Sequence, residues 1–175
     1  MEATGSSARL DVAGSGAASV ETGVPALNHL LALLAAYGRF DLVLEVAPAP
    51  GEAEVAAAAR ALGEALAPAL RAPGAYGYGA ATLLVDEALA HVVLEASRSP
   101  RLVTNVDLSE ARIGGVGSDV VAAFLRDLAD AAGLTLHVRL VEGEDPQHVL
   151  DAIFKTLGVA LARATELTTK EGSNG

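Results

Sequence analysis

Residues 134–161 read LTLHVRLVEGEDPQHVLDAIFKTLGVAL, one strand, one loop and one helix. Strand side chains alternate, so Thr135, His137 and Arg139 share one face and Leu136, Val138 and Leu140 the other. Asp145 is placed to cap the helix and Pro146 suits its first position. Leu150, Ile153, Phe154, Leu157 and Leu161 then recur at helical spacing as an apolar stripe. His148, Asp151 and Lys155 fall on the opposite face at i, i+3 and i+7. A histidine, a carboxylate and an ammonium beside a strand that carries a second histidine form either a site or an ordinary solvated face.

The same layout occurs earlier. A helix over Ala26–Ala36 leads through Gly38 to the strand DLVLEV, a Pro/Gly loop and a second helix containing LGEAL. In the later copy SDVVAAFLRDLADAAG, TLHVRL and EGEDP lead to LGVAL, about 95 positions downstream of LGEAL. Two such halves indicate an internal duplication within one pseudo-symmetric domain.

The chain has 175 residues, the length of one domain or a tightly fused pair. Apolar residues make up 51%, but aromatics only 3%, so alanine-rich helices must do much of the packing, an arrangement that favours burial against neighbouring subunits. The formal charge of −10 argues against nucleic acid and anionic membranes as partners. Without cysteine there is neither a disulfide framework nor thiolate chemistry. MEATGSSARL lacks the basic start and apolar run of a signal peptide, and no apolar run is long enough to span a bilayer. The expectation is a soluble, cytoplasmic protein.

Taken in order, residues 1–7 are small and polar and read as loose. Leu10–Val12 and Ala17–Glu21 read as a hairpin around Gly14-Ser15-Gly16. The helix ALNHLLALLAAYG is apolar almost throughout and reads as buried all round, which would make Asn28 and His29 a buried polar pair in need of partners. His29 is then either a bonded core histidine or a ligand. Glu52–Leu70 is a strong helix former. APGAYGYG over 72–79 is a loop without a Walker lysine. Strands are expected at Ala81–Val85, His91–Ala96 and Leu102–Leu108, with Asp86-Glu87 as a turn and Arg112–Ser118 as a loop. The order suggests an α+β sandwich with sheets packed on helices.

These segments together resemble the imidazoleglycerol-phosphate dehydratase family. The matching pieces are TGVPALNHLLALLAAYGRFDL (22–42), ALGEAL (61–66), VDEALAHVVLEASRSP (85–100), RIGGVGSDVVAAFL (112–125) and LTLHVRLVEGEDPQHVLDAIFKTL (134–157). The resemblance implies two pseudo-symmetric repeats like the second domain of ribosomal protein S5, here about 8–80 and 81–166, in one domain over 1–175 with a loose tail from 167. It also implies a homo-oligomer built from trimers. The family binds two manganese ions through six histidines and two glutamates, which hold the substrate ring as an imidazolate.

The family's motifs are only partly kept. Asn28-His29 stands for its Asp-His. Glu52-Ala53 and Ala56-Ala57 stand for a histidine pair followed by Glu-Asp. His137 is kept, Gln147-His148 stands for a second histidine pair, and Asp151 for a glutamate. The remnant ligand set is His29, His137, His148, Asp151 and Glu52, at most one weak Mn²⁺ site; otherwise no cofactor is expected. For the phosphate, Lys155 is kept and Arg98 sits one position early.

Three readings follow. The leading one is a homologue without the di-manganese site, structural or regulatory, forming trimers or co-assembling with a true dehydratase. Without metal bridges at the larger contacts, the family's cubic shell is not expected. The second is a repurposed small-molecule enzyme in which His29, Glu87 and His148, with His137 and Asp151, serve as acid and base groups. The third is a working dehydratase with an atypical site.

Overall fold

The computed structural model describes residues 5–106, 112–113 and 116–168. The elements run β1 (Ser7–Asp11), β2 (Ala18–Glu21), α1 (Pro25–Gly38), β3 (Asp41–Glu45), α2 (Gly51–Leu70), β4 (Tyr78–Val85), β5 (Ala88–Ala96), β6 (Arg101–Thr104), β7 (Arg112–Ile113), β8 (Val116–Gly117), α3 (Ser118–Ala132), β9 (Leu134–Glu142) and α4 (Pro146–Thr165). Two sheets, β1-β3-β2 and β4-β5-β9-β6, pack against the helices, with β7-β8 a short separate ladder.

The duplication is visible in strand order. β3 lies antiparallel to β1 and parallel to β2. Likewise β9 lies antiparallel to β5 and parallel to β6. Each parallel pair is joined through a helix, α1 in one half and α3 in the other, because parallel strands need a crossover. β4 is the strand the first half lacks among the described residues. The helices pack across the halves, α1 on α4 and α2 on α3.

The core follows the two periodicities. Inward strand residues Leu42, Leu44, Val92, Leu94, Leu136 and Val138 meet helix residues such as Leu31, Leu62, Leu128 and Leu157, all at most 1% exposed. The α4 stripe of Leu150, Ile153, Phe154, Leu157 and Leu161 is buried. Small residues let the helices approach closely: a Cβ on Gly158 would meet the Leu34 carbonyl, and one on Gly63 would meet Ala131.

Several sequence expectations are corrected. β1 and β2 form no hairpin, because β3 inserts between them. Asp41 Oδ1 accepts from the Ser15 and Ala17 amides at 2.9 and 3.1 Å, wrapping the 13–17 loop over the start of β3. Those hydrogen bonds hold the Asp41 carboxyl below its ordinary pKa. Within the chain α1 is not buried all round, since Ala36 and Tyr37 are exposed. Asn28 caps the turn before it, accepting the Thr22 amide at 3.0 Å. The strand expected to Leu108 ends at Thr104, where the Asn105 side chain bonds the Leu140 amide and carbonyl, closing the ladder. Positions 107 and 108 lie outside the described residues. The loop over 112–118 contains the β7-β8 ladder and the start of α3. At the ends, Ser7 already belongs to β1, and Leu167 bridges Ala75. No helix described is long and apolar enough to cross a membrane.

Candidate functional site

The first turn of α4 is fixed by Asp145, whose carboxylate accepts the Gln147 and His148 amides at 2.8 and 3.3 Å. Capping these otherwise unpaired donors sets where α4 starts. It also sets which way residues 147, 148 and 151 face.

Two histidine–carboxylate pairs result. His148 Nδ1 lies 2.5 Å from Glu87 Oε1, and its Nε2 lies 3.4 Å from Asp86 Oδ2. Glu87 sits in the two-residue β4–β5 turn, where Asp86 takes a left-handed conformation at φ 49°. The other oxygen of Glu87 accepts the Glu144 and Asp145 amides at 3.0 and 3.2 Å. One turn further along α4, Asp151 Oδ1 lies 3.1 Å from His29 Nε2 and accepts from Gln147 Nε2 at 2.7 Å. The His29 side chain is 53% exposed, so it is no core histidine but the surface half of this pair.

The electrostatics follow from these contacts. The Glu144 amide and then His148 hold Glu87 down to about 2. The bond to Glu87, helped by the charges of Asp145, Glu87 and Asp86, raises His148 above the ordinary imidazole value. A raised histidine pKa stabilises below the unfolded value of ~6.5 and loses that contribution as pH rises through the folded pKa. A depressed glutamate pKa stabilises above its ordinary 4.5 and loses that contribution as pH falls towards 2. The pair is therefore fully formed between pH ~4.5 and ~6.5. Glu87→Gln is expected to bring the His148 titration, followed by NMR of the ring, down towards the ordinary value. An unchanged titration would show that Glu87 does not set it.

Not all the candidates converge. His137 projects from the outer face of β9, beside Val93 and Val103, whereas its neighbours Leu136 and Val138 point into the core. Glu52 lies in the first turn of α2, lining a cavity of about 210 Å³ with Val55, Ala56, Val120, Ala123 and Asp127. Lys155 Nζ donates to the Leu84 carbonyl at 2.9 Å and lies 4.6 Å from the Tyr37 ring centroid. Arg98 is exposed in the turn after β5. Leu84 pairs with Leu89 at one end of β5 and Arg98 follows Ala96 at the other, roughly 24 Å away along the strand. Within one chain the two cations do not meet at one phosphate.

Asp86 and Gln147 complete the pairs, and the sequence reading gave neither a role there. The available signals were the adjacency of Asp86 to Glu87 in a two-residue turn and the i, i+4 spacing of Gln147 and Asp151. Among the described residues no group of three or more His, Cys, Asp or Glu could hold a metal ion. Within one chain the donors gather as two separate imidazole–carboxylate pairs, with His137 on another face. The pairs fit proton exchange between an imidazole and an anchored carboxylate.

A family model described as imidazoleglycerol-phosphate dehydratase matches residues 22–161. A protein of that name from Syntrophobacter fumaroxidans is 41% identical over 165 residues, covering 90% of this chain and 82% of that one. Its namesake from Pelobacter propionicus is 38% identical, covering 90% and 83%. The chain spans 59% of the chloroplastic relative from Pisum sativum, at 36% identity. Among solved structures, the imidazoleglycerol-phosphate dehydratase of Staphylococcus aureus superposes with a TM-score of 0.86 at 28% identity, covering 94% of this chain and 95% of that one.

Proposed function

The chain belongs to the imidazoleglycerol-phosphate dehydratase family, and we propose that within it this protein is a non-catalytic structural or regulatory homologue that keeps the fold without the di-manganese site. The observation that carries this is the asymmetry between the two halves. With LGEAL laid on LGVAL, the turn of α4 bearing His148 and Asp151 corresponds to the turn of α2 bearing Ala53 and Ala56. Alanine offers no lone pair to a metal. Sharing sites between subunits does not repair this, because identical copies bring identical residues. The chain has four histidines in all, against the six the family's site uses. One of the four, His91, lies 2.6 Å from Thr82 Oγ1 on the outer sheet face.

On this reading the protein forms homotrimers in the cytoplasm or co-assembles with a true dehydratase, and the larger shell does not form. A second reading, a repurposed enzyme, draws on the anchored Glu87–His148 pair as a metal-free acid–base element. A third, an atypical but working dehydratase, draws on the 35–41% identity to several relatives bearing that name. Complementation of a histidine auxotroph lacking the dehydratase separates the first reading from the third. No growth despite soluble expression is expected; growth would establish a working enzyme.

A further inference from the structure

The β4 strand reads YGAATLLV over Tyr78–Val85, with no charged residue and no proline. Among the described residues it is an edge of its sheet, pairing only with β5. Ala96 donates to the Gly77 carbonyl at 2.7 Å, so the odd-numbered residues turn their backbone groups towards β5. Tyr78, Ala80, Thr82 and Leu84 therefore turn theirs to the open edge. Tyr78 and Leu84 are also large exposed apolar side chains, 61% and 57% accessible. A long, uncharged, apolar edge of this kind is a template for another strand.

Natural edges are commonly blunted by a charge on the strand itself. Here the charges come from α4. Arg163 Nη1 donates to the Ala80 carbonyl at 2.5 Å and Lys155 Nζ to the Leu84 carbonyl at 2.9 Å. The reach is short because β4 lies directly on α4, with no room for a Cβ at Gly79.

We propose that the open edge of β4 is a strand-pairing surface held closed by Lys155 and Arg163, and that its partner, once uncovered, is the same edge of a second copy of this chain. Identical antiparallel strands satisfy a two-fold axis. With that axis at Ala81, Ala80 faces Thr82 and Tyr78 faces Leu84, so each open-edge residue meets another. Two cations occupying alternate acceptors remove half of the required carbonyls and place charge where the second strand would lie. This gives Lys155 a task within the chain that is independent of any phosphate and of the reading above.

The test replaces both donors while keeping their apolar stems, Lys155→Met with Arg163→Met, and follows mass by light scattering beside the parent. Species at multiples of the parent's mass, growing with concentration, are expected, together with slowed amide exchange at Ala80 and Thr82. Adding Leu84→Lys, which puts a charge on the exposed edge, is expected to restore the parent's mass. The cation-preserving pair Lys155→Arg and Arg163→Lys should match the parent. If the double variant melts early, each single replacement carries the test and should gain part of the association. Unchanged mass and exchange in variants that remain folded would overturn the proposal. So would association that Leu84→Lys leaves intact.

Discussion

Gly79→Ala is expected to destabilise the protein by about 3 kcal/mol, lowering its melting temperature by roughly 6–12 °C. A Cβ there would lie 2.1 Å from the Ala160 carbonyl oxygen and 2.9 Å from the Ala164 amide nitrogen. Both are backbone atoms of α4, so no side chain can swing aside. Either β4 lifts from α4 or the helix moves, and α4 is tied to α1, β4 and β5 at once. Gly158→Ala meets a similar obstruction, 2.3 Å from the Leu34 carbonyl oxygen. Its loss should be smaller, because alanine regains about 1 kcal/mol of helix propensity at a helical position. Urea unfolding of both variants gives the comparison. A cost below about 1 kcal/mol at Gly79 would mean that the β4–α4 contact yields freely.

Phe154→Ala is expected to cost about 3–5 kcal/mol. Phe154 is fully buried, and its ring lies 5.7 Å from that of Phe124 at 42°. The protein has only three phenylalanines, and alanine-rich neighbours cannot spread to refill the space. The cavity would open beneath the helix that carries His148 and Asp151, so the His29–Asp151 and His148–Glu87 pairs should loosen as well. Denaturant unfolding measures the cost, and ring NMR of His148 in the same variant reports the loosening. A loss under about 1.5 kcal/mol would contradict a rigid core around α4.

Phe154 and Gly79 differ in how far the sequence exposes them. The α4 stripe repeats at 3.6 residues and β9 at two, so the inward faces of both are legible from spacing alone. The duplication is legible too, because LGEAL and LGVAL place a glycine at each close helix crossing. Gly79 looks like part of a flexible loop until β4 is seen lying on α4. The expected hairpin at Gly14–Gly16 failed for a related reason. Strand and turn signals are local, whereas insertion of β3 between β1 and β2 is a long-range choice held by Asp41.

The site was legible in the same uneven way. Capping by Asp145, and with it the facing of His148 and Asp151, followed from local rules. That His29 meets Asp151, 122 positions away, depends on α1 packing on α4, which no local pattern encodes. The all-apolar look of α1 suggested a buried helix and left His29 open between a core histidine and a ligand. The helix instead leaves one face open, and His29 emerges there.

The most direct test of the account is imidazoleglycerol-phosphate turnover by the purified protein in excess Mn²⁺, beside a genuine family member. On the proposed reading no turnover above background is expected, since Ala53 and Ala56 offer no lone pair to a metal and the chain has four histidines in all. Sustained turnover well above background would contradict it, and would mean that His29, His137, His148 and substituted carboxylates suffice.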